Sequence, residues 1–169
     1  MGIMLALKIT EVKDFMNHLL MMGTFDEFCL AAASIVRAYS VNIDGRISSQ
    51  FYTEEERAML GIENDRYLRY AQMRPIVLSH IKGKRTPLLV KLTLTLPVAE
   101  ALERLRGSKD DIDTRIEDFL LNIKYDSQGL FITTGVSYST FSMEKDLERL
   151  WDEYICEYLR SQQIIWEKQ

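Results

Sequence analysis

The chain has 169 residues, 47% of them apolar and 27% charged, with a formal net charge of −4. That length suits one domain with its own buried core, without a disulfide or metal to hold it together. The charge balance excludes a surface that is basic throughout but not a local basic patch, and no segment reaches the ~20 consecutive apolar residues of a membrane-spanning helix.

Ile3 to Ile9 reads as a short strand, and Thr10 is the expected N-cap of a helix with the apolar stripe Val12, Phe15, Met16, Leu19 and Leu20, ending near Gly23. Phe28 to Ile43 alternates Ile, Val, Tyr and Ala, with Asp44-Gly45 as the expected turn into a return strand, Arg46 to Phe51. Thr53 and Glu56 form a capping box for a short helix that Gly61 ends. A longer helix is expected from Asn64 or Asp65 to about Ile81, stopped by Gly83, with Pro75 either kinking it or opening a second piece.

In the next strand Leu88, Val90, Leu92, Leu94 and Leu96 share one face, with Lys91, Thr93 and Thr95 on the other. Pro97 suits the first turn of a helix carrying Val98, Ala101, Leu102 and Leu105 up to Gly107, and a short acidic helix is expected around Asp111 to Asp118. Phe119 to Tyr125 and Leu130 to Tyr138 form a second hairpin across Asp126 to Gly129. Ser142 caps a last helix whose stripe runs from Leu147 through Trp151, Tyr154 and Tyr158 to Ile165 and Trp166. Such a stripe covers the chain's own sheet or docks on another protomer.

The expected fold is α+β, one domain over residues 1–169, in two strand-helix-hairpin-helix halves that suggest internal pseudo-symmetry. In element order it resembles the repeating unit of DNA sliding clamps, an analogy of fold only. Cys29 and Cys156, the only cysteines, stand far apart in apolar or amphipathic stretches; they read as two reduced thiols and point to the cytosol. The start, MGIMLALKI, has no basic lead-in, and Ala6 stands where a myristoylation signal has Ser or Thr, so neither export nor acylation is expected.

Several stretches together are similar to a family of uncharacterised bacterial proteins. They are MLALKITEVKDFMNHLL, TFDEFCLAAASI, NIDGRI followed by FYTEEE, RPIVLSHIKGKRTPL, NIKYD and TTGVS. The resemblance covers most of the chain, implies a small single-domain protein starting naturally at Met4, and brings no catalytic or binding residues with it.

The feature that most invites a ligand lies between Arg66 and Ala99. This run has no Asp or Glu, while Arg66, Arg69, Arg74, Lys82, Lys84, Arg85 and Lys91 supply seven positive charges. Arg74, His80, Lys82, Lys84 and Arg85 are the candidate anion-binding residues, with Tyr67 and Tyr70 available to stack on bases. The alternative is a helix end, in which Lys82 and Lys84 favour the C-terminal dipole and Gly83 is the left-handed cap.

A Walker loop is excluded because Leu78 stands where its first glycine is needed. An EF-hand is excluded by Arg115 at the fifth position of a loop beginning at Asp111 and by the missing glycine. His18, His80, Cys29 and Cys156 lack metal-ligand spacing, and no G-x-S-x-G elbow surrounds Gly135, where a bulge or close backbone approach is expected instead. No cofactor and no metal is expected. Four readings stay open: a binding protein for a partner or a second copy, an anion or nucleic-acid binder built on residues 74–91, an enzyme whose site is assembled from distant positions, and a clamp-like ring.

Overall fold

The computed structural model describes residues 5–106, 116–140 and 146–169. Gly107, the carboxylates at 110, 111 and 113, and the expected cap at Ser142 lie outside them. The elements in chain order are β1 (Ala6–Ile9), α1 (Val12–Leu20), β2 (Cys29–Val36), β3 (Ser40–Asp44), α2 (Glu54–Leu60), α3 (Tyr70–Ile81), β4 (Leu89–Leu96), α4 (Val98–Arg106), β5 (Ile116–Asp126), β6 (Gly129–Tyr138), α5 (Asp146–Ser161) and β7 (Trp166–Lys168). An α+β fold is what the strand and helix patterns require, and it is what forms.

One seven-stranded antiparallel sheet holds every strand, in the order β3-β2-β4-β5-β6-β1-β7. The strand-helix-hairpin order does recur, but the pairing does not. β4 pairs directly with β5, whereas β1 lies between β6 and β7, four places from β2. The N-terminal strand thus closes the C-terminal half instead of repeating its plan.

The period-two pattern divides the sheet into two faces. In register, Leu7, Ile132, Ile123, Leu92 and Ala33 form one buried row. Against this apolar face pack Phe15 and Leu19 of α1, Met73 and Val77 of α3, Ala101 and Leu102 of α4, and Trp151, Ile155 and Leu159 of α5, all in one hydrophobic cluster. At ~25 cal/mol per Å² of apolar surface removed from water, this burial is the dominant stabilising term. The opposite face is polar: Ala32, Lys91 and Lys124 are exposed, and Lys8, Ser34, Thr93, Asn122, Phe131 and Thr133 are half-exposed.

Several local expectations are corrected. The first hairpin turns at Arg37–Tyr39, where the Arg37 amide donates to the Tyr39 carbonyl at 2.7 Å, and not at Asp44-Gly45. The acidic helix is replaced at Glu117 and Asp118 by the start of β5. Glu11, not Thr10, occupies the N-cap of α1. Residues 64–69 are not helical, and α3 runs unbroken through Pro75. Leu88 is 70% exposed and lies before β4. The last helix stops at Ser161, and Trp166 belongs to an edge strand on β1.

The capping box is present as expected, with Thr53 and Glu56 each accepting from the other's amide and Gly61 left-handed at φ 70°. Among the described residues, no helix is long and apolar enough to cross a membrane.

Candidate anion-binding face

The carboxylate-free run has its counter-charges on other elements. Arg66 reaches Asp118 at 3.4 Å, Arg69 reaches Asp65 at 3.2 Å and Glu100 at 3.1 Å, and Arg74 holds Asp26 through two hydrogen bonds of 2.9 and 3.1 Å. Arg104 extends the second group through Glu100 at 2.8 Å and Glu27 at 3.1 Å. These pairs fasten α3, α4 and the approach to β2 to one another. Arg74 is therefore engaged in a bidentate pair between α3 and residue 26 and is removed from the candidate site.

The other four candidates stay together at the turn from α3 to β4. Lys82, Lys84 and Arg85 are exposed and form no ion pair among the described residues, while buried Pro87 anchors the turn. The cation that serves the C-terminus of α3 comes from elsewhere. Arg37, on the β2–β3 turn, donates from Nη1 to the carbonyls of Lys82 at 2.7 Å and His80 at 3.3 Å. Gly83, at φ 151°, leaves room for it, since a Cβ there would lie 2.4 Å from Arg37 Nη2. Because Arg37 satisfies the helix end, the lysines and Arg85 are left available.

His80 also has a partner. Its Nδ1 lies 3.2 Å from the Tyr39 hydroxyl, with the rings edge-on at 6.0 Å. The two turns together line a cleft of about 480 Å³ with Arg37, Ala38, Tyr39, Arg85, Thr86 and Leu88. Tyr39 is 48% exposed, so an aromatic face stands beside the cations.

Strand register carries the basic surface further. Lys91 enters β4 just after the turn and lies directly opposite Lys124 of β5; Lys124 faces Phe131 of β6, and Phe131 faces Lys8 of β1. On the other side Lys91 faces Ser34, which donates to Asn42 at 2.7 Å. In the neighbouring row the Thr93 hydroxyl meets the Asn122 amide oxygen at 2.9 Å. Two lysines directly opposite each other across antiparallel strands repel. Lys124 is offset in part by Asp126 at 3.7 Å, and Glu167 lies opposite Lys8 at the sheet edge; Lys91 has no carboxylate partner among the described residues.

Arg37, Tyr39, Lys8, Lys124 and Phe131 are residues of the candidate face that reading along the chain misses. Their signal is a polar or aromatic residue on the outer phase of a strand or in a turn, and it gains meaning only once register is known. Neither thiol belongs to the face. Burial pushes the Cys29 thiol up to about 12, against the lowering effect of Arg69, and burial also raises that of Cys156. Among the described residues, no three His, Cys, Asp or Glu side chains are grouped to hold a metal.

Comparison with known proteins finds a family match. A model described as "Family of unknown function (DUF5721)" covers residues 18–167. No curated protein and no solved structure matches the chain.

Proposed function

The chain belongs to that family of unknown function, and we propose that it is a binding module for a phosphate-bearing polyanion, single-stranded nucleic acid foremost. The reading rests on one observation. Among the described residues Lys82, Lys84 and Arg85 have no carboxylate partners, and they lead through Lys91 onto an open sheet face where Lys124, Phe131 and Lys8 continue the row.

Each residue type has a part to play. Ammonium groups neutralise phosphates and release counterions, while Phe131 and Tyr39 offer rings on which bases stack in a sequence-tolerant way. Strands spaced ~4.8 Å apart put Lys91 and Lys8 roughly 14 Å from each other, so the row is traversed by an extended single strand. A cytosolic setting fits the two free thiols.

The test is fluorescence anisotropy with labelled single- and double-stranded oligonucleotides at low salt. It compares the wild type with Lys82, Lys84 and Arg85 all changed to Ala. Salt-sensitive binding that prefers the single strand and vanishes in the triple variant is expected. No binding at low salt, or binding untouched by the triple variant, overturns the proposal.

A second reading, a protein partner in the form of another copy of the chain, is favoured by α2. That helix buries no residue and leaves Met59 88%, Leu60 58% and nearby Phe51 75% exposed. Sedimentation velocity of wild type and Met59→Glu decides it: concentration-dependent dimerisation lost in the variant supports this surface, and a monomer throughout excludes it.

A further inference from the structure

The cleft between the β2–β3 turn and the α3–β4 turn differs in character from the lysine row that it adjoins. The row is open and cationic, whereas the cleft is concave, about 480 Å³ in volume, and lined by Ala38, the Tyr39 ring and Leu88. Leu88 is 70% exposed and Tyr39 48%, so two large apolar side chains meet water in one concavity. That arrangement favours an apolar occupant.

Three ties set the walls of the cleft in place. Arg37 Nη1 donates to the carbonyls of Lys82 and His80, the Leu88 amide donates to the Val36 carbonyl at 2.8 Å, and the Tyr39 hydroxyl lies 3.2 Å from His80 Nδ1. That last contact, with the Tyr39 and His80 rings at 71° to each other, fixes the direction of the Tyr39 ring. A side chain already held in place loses little rotamer freedom when a ligand arrives. Two polar groups complete the lining. The exposed Thr86 hydroxyl can donate to or accept from a ligand's edge. Arg85 brings a guanidinium that forms no ion pair among the described residues.

We infer that this cleft takes up one nucleotide of a bound single strand, its base against Tyr39 and Leu88 and its phosphate on Arg85. The inference rests on the reading of the basic face as a polyanion site. It narrows the ligand from phosphate polyanions in general to nucleic acid, because inorganic polyphosphate has no ring to lay on Tyr39. The volume falls within the ~300–1,000 Å³ of small-molecule sites, which admits a base with its sugar. Lys91 follows Leu88 by roughly 10 Å of extended chain, so the neighbouring phosphates of the same strand reach the row.

The experiment pairs two measurements on the intact chain. In ¹⁵N-resolved NMR, deoxyadenosine monophosphate, ribose 5-phosphate and inorganic tripolyphosphate are titrated in turn. Saturable shifts of the Ala38, Tyr39, Thr86 and Leu88 amides are expected with the nucleotide, at an affinity about tenfold or more above that of either phosphate without a base. In anisotropy at low salt, a labelled single strand is expected to bind Tyr39→Leu about tenfold or more weakly than wild type, and Tyr39→Phe, which keeps the ring, nearly as well as wild type. Tyr39 is exposed and its turn is held through the backbone, so both variants keep the fold. Strand binding that is lost in the Lys82, Lys84 and Arg85 triple variant but indifferent to Tyr39→Leu overturns the inference and leaves the polyanion reading standing. So do phosphates without a base that bind as tightly as the nucleotide, and an equal loss in Tyr39→Phe and Tyr39→Leu, which would assign the effect to the hydroxyl. A mononucleotide that binds as tightly as the strand would make this a site for free nucleotide and overturn the strand as its ligand. No strand binding at all removes both the inference and the reading beneath it.

Discussion

Gly45 shows how a single residue decides a local path. Its amide donates to the Ala31 carbonyl at 3.0 Å, and a Cβ on it would lie 1.7 Å from the carbonyl oxygen of Leu30, beside the register shift between Leu30 and Ala32. No rotamer relieves a clash with backbone. Gly45→Ala is expected to destabilise by about 3 kcal/mol, the upper end for overpacking, with a shifted urea midpoint as the measurement. Asp152 makes an opposite case. It accepts from buried Thr134 at 2.5 Å, and burial, the largest influence, holds its carboxyl above the usual value of 3.8 despite that hydrogen bond. The native state therefore binds more protons at this group than the unfolded chain does, and stability falls as pH rises from 3.8 through the raised value. Asp152→Asn keeps an acceptor for Thr134 and removes that fall. Its melting temperature relative to wild type is expected to be higher at pH 7 than at pH 3.5, and an unchanged or lower relative value would assign the control of Asp152 to its charged neighbours.

At the scale of elements, α2 is made by its ends and not by its packing. Thr53, Glu56 and Gly61 close both termini, while no residue between them is buried. Thr53→Ala is expected to remove about 1 kcal/mol of helix stability, and because α2 buries no residue and reaches the rest of the chain mainly through Arg57 and the Asp65 carbonyl at 3.3 Å, the loss stays local. Hydrogen exchange of the α2 amides should quicken roughly fivefold while the global unfolding midpoint hardly moves; a matching global loss would mean that α2 folds with the core. The same reasoning explains which elements were legible. The β5–β6 hairpin, β4 and the capping box each carry their signal within a few residues. The first hairpin was misplaced because Asp44-Gly45 has turn chemistry that here serves a different end: Asp44 accepts from the Arg46 amide at 2.9 Å, and Gly45 permits the close approach to Leu30. Ile165 and Trp166 fit the period of α5, yet Gln163, at φ 62°, ends that path and turns the chain onto β1.

For the whole molecule, the decisive feature was not local at all. Nothing within β1 names β6 as its partner, and nothing between Arg66 and Ala99 names Asp118, Glu100 or Asp26 as counter-charges. Those pairings arise when the sheet forms, and they divide one basic run into structural arginines and a turn without ion pairs among the described residues. The basic turn was legible as composition; its continuation through Lys124 and Lys8 required register. This division has a measurable consequence in a chain whose net charge is −4, because attraction to a polyanion must come from the local row and not from the overall charge. Each lysine or arginine that neutralises a phosphate of a single strand contributes roughly −0.7 to the slope of log K against log salt concentration. Contacts by Lys82, Lys84, Arg85, Lys91 and Lys124 together give an expected slope of about −3.5 for wild type. Changing Lys91 and Lys124 to Ala removes two contacts and brings the slope to about −2. It also removes a like-charge pair opposed across β4 and β5, so the variant should unfold at a slightly higher urea concentration while binding less. A slope unchanged by the double substitution would confine the contact to the turn and leave the sheet face out of it.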